Sequence, residues 1–255
     1  MKKKIIVISS GKGGVGKTTT AINLGAAINY FGKDVIVIDG NLSTPNVGIH
    51  LNSPEVPISL NHVLLKKAEP LEAVYEHESG LKIMPSSLSI KDLRKIKPGR
   101  IIEFKKEFQK LGDYILMDSA AGLGAEAESA IDVADEIILV TNPEMPAITD
   151  ALKTIKFAEG KNKIIKGIIV TRVKRNKSEM QAESVKEMLE APILGMIPED
   201  ISIQEALNLK DALIHTHPYS RSAIAYKEIA ARLLEIEYDS SKDRPTFWKR
   251  IFKRY

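Results

Sequence analysis

The stretch "KIIVISSGKGGVGKTTT", residues 4–20, constrains this chain more than any other. A short, continuously apolar run leads into a glycine-rich loop, and a helical pattern opens at Lys17. Gly11 to Thr18 fits the phosphate-loop pattern of Gly, four residues, Gly-Lys-Thr, in the strand-to-helix setting that the pattern requires. Glycines let backbone amides turn inward and approach an anion closely. The helix N-terminus adds its partial positive charge. Gly11, Gly13, Gly14, Val15 and Gly16 then supply the loop backbone, Lys17 neutralises β/γ-phosphate oxygens, Thr18 ligates Mg²⁺ and Thr19 contacts phosphate. A nucleotide's phosphates together with Mg²⁺ are therefore expected at this loop. Lys12 is a surplus: a phosphate loop needs one lysine of its own, and this loop carries two.

The remaining chain alternates strands and helices. Strands are expected at 4–10, 34–39, 81–86, 114–119, 136–141, 166–172 and 192–198, and helices at 17–31, 100–111, 146–159, 178–190 and 219–236. Most strand runs are apolar throughout, as in a parallel sheet covered on both faces. The expected fold is α/β: a doubly wound, mostly parallel sheet with helices on both faces. The opening "MKKKIIVISS" reads as a first buried strand, because its apolar run is too short for a secretory leader. No run is long enough to span a membrane. With no cysteine among 255 residues, the chain itself forms no disulfide, thiolate zinc site or cysteine-held iron–sulfur cluster.

A magnesium site needs carboxylates at neighbouring strand ends. Asp39 closes "DVIVID" and Asp118 closes "YILMD", where open α/β sheets place their ligands. Asp118 with "SAAGLG" reads as a metal-site carboxylate followed by a glycine-containing switch at Gly122.

With these residues assembled, the chain resembles the MinD/ParA family of deviant Walker A ATPases, most closely its archaeal MinD-like members, over about residues 3–237. "GKGGVGKTT" is that family's signature loop, and "DSAAGL" (118–123) is similar to its second switch, with Ala120 where a proline is usual. The resemblance implies a role for the surplus lysine: Lys12 reaches across an ATP-dependent homodimer to the partner's phosphates. It places Asn142 and Glu144 of "VTNPE" at the dimer interface, and Thr171, Arg172 and Ile197, Pro198, Glu199, Asp200 of "IPED" beside the nucleotide base. Thr171 stands where an asparagine is common. It counts Lys12, Lys17, Asp39, Asn41 and Asp118 as catalytic, and Thr18, Asp39 and Asp118 as the metal set. The first switch normally reads Asp, any residue, Asp; here "IDGNLSTPN" has Asn41 at the second position. Asparagine carries no negative charge and is a poor base, so hydrolysis is expected to be slow or partner-dependent.

The domain is expected to end at residue 238, followed by a flexible linker over 239–246 and a helix over 247–255. In "FWKRIFKRY", Phe247, Trp248, Ile251, Phe252 and Tyr255 fall on one helical stripe, with Lys249, Arg250, Lys253 and Arg254 opposite. That pattern suits an interfacial helix on an anionic membrane, and the family carries a similar targeting sequence. Together these features imply a cytoplasmic ATPase that joins the membrane when ATP-bound and positions or recruits an unidentified protein, as at a division site. A nucleotide-gated binding module with negligible catalysis is the alternative that Asn41 raises. A DNA-partitioning ATPase rests only on 91–110, whose eight basic and three acidic residues read better as a solvated helix face; a nucleic-acid partner is not favoured. A metal-cluster scaffold, another branch of the family, lacks its cysteines, and His215 and His217 read as loop residues.

Overall fold

The computed structural model describes residues 3–53, 55–174 and 179–243. The apolar runs form β1 (Lys4–Ser9), β2 (Val35–Asp39), β4 (Lys82–Met84), β5 (Tyr114–Asp118), β6 (Glu136–Thr141), β7 (Ile164–Val173) and β8 (Ile193–Pro198). A two-residue strand that the sequence reading did not anticipate, β3 (Tyr75–Glu76), joins one edge. The spatial order is β3-β4-β2-β5-β1-β6-β7-β8, and among the described residues only the β3–β4 pairing is antiparallel. The expected doubly wound sheet is what forms.

Around it lie α1 (Lys17–Tyr30), α2 (Val47–His50), α3 (Leu60–Leu64), α4 (Ile90–Leu93), α5 (Lys105–Phe108) and α6 (Ala125–Val133). They are followed by α7 (Met145–Gly160), α8 (Ala182–Leu189), α9 (Ser202–Asn208), α10 (Leu213–Thr216) and α11 (Arg221–Leu234). The strands are apolar throughout because both sheet faces are covered. Ile5, Val7, Ile36 and Ile38 pack against Phe108, Ala130 and Ile131 on one face, while Ile6, Ile8, Val35 and Val37 meet Leu24, Ile28 and Tyr226 on the other. Each such side chain contributes about 1.5–3 kcal/mol when fully buried.

α1 lies deepest. Its polar residues are matched internally: Asn23 donates to the Thr19 carbonyl (2.8 Å) and accepts the Leu213 N–H (2.7 Å), and the Thr20 hydroxyl meets the Tyr226 hydroxyl at 3.2 Å. Gly25 sets how closely α1 sits on the sheet, since a Cβ there would lie 2.6 Å from a Val37 methyl. β1 occupies the middle of the sheet, with β5 on one side and β6 on the other. The chain therefore leaves β1 at the point where strand order reverses, and a crevice opens beyond the strand ends.

Several expectations need correction. The helix expected at 100–111 is a 3₁₀ segment, Pro98–Phe104, running into the single turn of α5. Phe108 is fully buried and packs 6.1 Å from Phe104, so these rings serve the core. α6 and α9 were not anticipated. His215 lies on the short helix α10, bonded to Asp211 at 3.0 Å, rather than in a loop. Of the expected flexible linker, Ser240–Asp243 is an ordered 3₁₀ turn bound to the domain. Residues 244–246 of that segment and the expected helix over 247–255 lie outside the described residues. Among the described residues, no helix is long and apolar enough to cross a membrane.

Gly25→Val is expected to overfill the α1–β2 contact and lower unfolding free energy by about 1–3 kcal/mol, read as a lower urea midpoint with an unchanged slope.

Candidate functional site

Three chain segments meet at the crevice: the loop after β1, the loop after β2 and the loop after β5. Parallel pairing puts Asp39 and Asp118 directly opposite one another at adjacent strand ends. Both are fully buried. The loop after β1 wraps the start of α1, with Gly14 and Gly16 at positive φ of 76° and 93°. Gly11 has no room for a side chain, because a Cβ would sit 2.1 Å from the backbone carbon of Asp150 on α7. Gly13 and Gly14 face open space. The loop is braced from three directions. Ser10 donates to the Lys12 carbonyl (2.7 Å), Gly122 N–H to the Ser10 carbonyl (2.9 Å), and the Thr171 hydroxyl to the Val15 carbonyl (2.6 Å).

Thr18 donates its hydroxyl to Asp118 Oδ2 at 2.5 Å. Asp118 Oδ1 is buried without a hydrogen-bond partner. A buried carboxylate oxygen left open, next to a threonine hydroxyl, fits a hard cation that takes oxygen ligands. Thr18 and Asp118 are thus the residues that would hold Mg²⁺. Asp39 is differently placed. Its oxygens already accept the N–H groups of Asn41 (3.2 Å), Asn46 (2.9 Å) and Val47 (2.9 Å). It anchors the 41–47 loop through these three N–H groups, whereas Asp118 keeps one oxygen open.

The electrostatics follow from burial. Burial and the facing charge of Asp118 push the Asp39 carboxyl up to about 8. Burial raises Asp118 to about 6, against the pull of the Thr18 hydrogen bond and the Lys17 charge. Lys17 is 9% exposed, and burial pulls its ammonium below the ordinary lysine value while Asp118 opposes the shift. A cation in the crevice would relieve both carboxylates.

Lys12 is exposed at the lip of the loop and pairs with no carboxylate among the described residues. Asn41 is occupied locally: its amide donates to the Thr44 carbonyl (2.7 Å), and its Oδ1 accepts from the Thr44 N–H and hydroxyl (3.3 and 3.1 Å). Glu144 is exposed, but Asn142, expected at a dimer surface, turns inward to Thr171 at 2.8 Å. Thr171 itself is 5% exposed, and its hydroxyl supports the loop at the Val15 carbonyl. Arg172, at φ 55°, lines a cleft of about 540 Å³ with Glu144, Glu199 and Lys174, and a second of about 240 Å³ with Thr19 and His50. Ile197 points into the core, and Pro198 accepts from the Ser222 hydroxyl (3.1 Å). Asp200 accepts the backbone N–H groups of Ser202 (3.0 Å) and Ser222 (3.2 Å), in the first turns of α9 and α11. Of the four residues 197–200, Glu199 alone stays exposed at the cleft.

The sequence reading missed one contact altogether. Glu126, in the first turn of α6, accepts both the N–H and the hydroxyl of Ser43, joining the loop after β2 to the helix after β5. The partners are 83 residues apart, so no local pattern announces them.

Set beside known proteins, residues 6–213 match the family profile of the CobQ/CobB/MinD/ParA nucleotide binding domain. An uncharacterized ATP-binding protein of Methanocaldococcus jannaschii is 36% identical, over 97% of this chain and 95% of that one. The septum site-determining protein MinD of Pyrococcus horikoshii, solved with Mg-ADP, superposes with a TM-score of 0.86 at 33% identity, covering 90% of this chain and 95% of that one. The cell division ATPase MinD of Pyrococcus furiosus gives 0.88 at 31% identity, covering 91% and 99%.

The carboxyl values of Asp39 and Asp118 fix a pH dependence. Both lie above the ordinary 3.8, so between that value and about 8 these two carboxyls hold more protons in the ligand-free folded protein than in the unfolded chain. Stability then falls as pH rises through the window. A urea midpoint that declines from roughly pH 5 to pH 8, with a shallower decline under saturating Mg-nucleotide, is the expected result.

Proposed function

The chain belongs to the CobQ/CobB/MinD/ParA family of nucleotide-binding domains, and on that premise we propose that it is a MinD-type switch ATPase. It binds Mg-ATP, dimerises around the nucleotide, attaches to the membrane through residues 247–255 and there positions or recruits another protein. The observation that carries this reading is the crevice itself. A two-lysine loop ends at Thr18, whose hydroxyl rests on Asp118, and Asp118 keeps one buried oxygen open. ATP bound with magnesium supplies triphosphate oxygens and a hard cation to those groups. The solved relatives, a MinD with Mg-ADP and a cell division ATPase, support the same assignment.

The residues divide the work. Lys17, buried beside Asp118, serves the phosphate charge within its own subunit. Lys12, exposed and unpaired among the described residues, is free to meet phosphates held by a second subunit. A cation that acts only when two subunits meet couples dimerisation to the triphosphate. Lys12→Ala is expected to keep ATP binding, followed by a fluorescent nucleotide, and to lose the ATP-dependent mass increase in light scattering. A dimer that forms undiminished would remove Lys12 from this role.

Catalysis is slow, because Asn41 carries no charge and its amide is engaged by Thr44. A variant of the reading, a nucleotide-gated binding module that scarcely hydrolyses, rests on this same observation. Turnover of Asn41→Asp measured beside the unaltered protein separates the two. A several-fold rise is expected, and a brisk unaltered rate that the change fails to raise contradicts the assignment.

The tail supplies membrane attachment. One tail pairs modest apolar burial with four cations against the entropy of ordering it, and so binds marginally. Two tails on a dimer gain roughly 10²- to 10⁴-fold in avidity. Co-sedimentation with anionic vesicles is therefore expected to rise with ATP and to vanish on deleting 247–255; equal binding by the deletion variant rules out the tail.

A further inference from the structure

The chain leading out of α11 is held by a buried cation that the nucleotide site does not use. Lys227 on α11 is 1% exposed. Its ammonium donates to the Pro218 carbonyl at 3.1 Å and to the Asp243 carboxylate at 2.7 Å, and lies 4.4 Å from the ring centre of Tyr30, the last residue of α1. The same carboxylate oxygen accepts the Tyr238 hydroxyl at 2.6 Å, and the Tyr238 ring meets Phe31 edge-on at 5.4 Å. A local turn brings Asp243 within reach. Asp239 accepts the N–H and the hydroxyl of Ser241, and one 3₁₀ turn over Ser240–Asp243 follows.

This pair differs from the surface ion pairs. Lys82 and Asp34 are 36% and 46% exposed, whereas Lys227 and Asp243 are 1% and 16% exposed. Water competes little for such a pair, and a buried ammonium does not tolerate losing its counter-charge. Burial pushes the Asp243 carboxyl up, but the hydrogen bonds from Lys227 and Tyr238 outweigh it and hold the group below its ordinary value.

We propose that the Lys227–Asp243 pair roots the membrane tail: it fixes where the chain leaves the domain and shortens the tether before Phe247 from the eight residues 239–246 to the three residues 244–246. The proposal rests on reading 247–255 as a membrane-binding segment. Its geometric content is specific. Lys17 opens α1 at the phosphate loop and Tyr30 closes it at the root, so a helix of 14 residues separates nucleotide from tail. At 1.5 Å per residue that is about 21 Å. Asp243 is therefore fastened at the end of α1 away from the loop. Three residues reach at most roughly 11 Å. The effective concentration of a second tail falls roughly as the −3/2 power of tether length, so freeing all eight residues lowers it about fourfold.

The test uses the full-length protein with ATP and vesicles of phosphatidylglycerol, with phosphatidylcholine vesicles as the neutral control. Asp243→Asn breaks the pair, Asp243→Glu keeps its charge, and a third variant inserts five Gly/Ser residues between Arg244 and Pro245 with the pair intact. Melting temperature and ATP turnover are followed for each, so that loss of folding is recognised; the insertion leaves the buried pair undisturbed. Roughly fourfold weaker ATP-dependent retention for Asp243→Asn and for the insertion, with turnover unchanged and Asp243→Glu close to the unaltered protein, supports the root. Unaltered protein that is retained through its tail, with both the insertion and Asp243→Asn retained equally well, overturns the root and leaves the membrane reading intact. Unaltered protein that is not retained, or that is retained equally after deletion of 247–255, overturns both.

Discussion

Two fully buried carboxylates facing each other across a parallel strand pair are the constraint on which the rest of this molecule depends. Asp39 and Asp118 are partners in the β2–β5 register, and neither reaches solvent. Such an arrangement is costly unless positive potential surrounds it. Here three backbone N–H groups bind Asp39, while a threonine hydroxyl and a half-neutralising lysine attend Asp118. What remains unmet is one carboxylate oxygen, and it opens where a phosphate loop begins a helix. The unmet oxygen, the buried lysine and the glycine loop form one electrostatic problem, and Mg-nucleotide is the ligand whose charges solve it.

The loop is rigid for a related reason. A phosphate cradle made of glycines would lose much conformational entropy on binding unless its shape were set beforehand. The shape is set by neighbours far away in sequence. The backbone of α7 closes against Gly11, Thr171 on β7 bonds the Val15 carbonyl, and Gly122 after β5 bonds the Ser10 carbonyl. Because Gly122 belongs to the loop that follows Asp118, a shift of that loop reaches the cradle through a single hydrogen bond. The Glu126–Ser43 contact ties the 41–47 loop to the same region. The three segments around the crevice are therefore mechanically linked before any ligand arrives.

α1 gives the molecule a polarity. One end carries the phosphate loop, and the other carries Tyr30, against which Lys227 and the turn before the tail are fastened. A nearly all-round buried helix transmits position well, because no side of it is free to yield. The phosphate loop and the fastened turn thus sit at opposite ends of one element.

Much of this was legible in the residues. Continuous apolar runs alternating with helical patterns determine a parallel sheet covered on both faces, because only such a sheet buries every side chain of a strand. The spacing Gly11 to Thr18 determines a phosphate cradle, because it joins a strand to a helix N-terminus through residues that permit close backbone approach. Aspartates at the ends of β2 and β5 were recognisable as site residues from their place in the pattern. Helix α6 was not, since "AEAESAIDV" is short and half polar. Only the tertiary structure decided what those residues do to one another. It made Asp39 a loop anchor and left Asp118 the open oxygen, turned Asn142 and Thr171 inward, and bound Asp200 to the first turns of two helices. It also converted part of a polar linker into a fastened turn. Each of those outcomes depends on partners tens or hundreds of residues away, and on burial, which strengthens a hydrogen bond or an ion pair in proportion to the water it excludes.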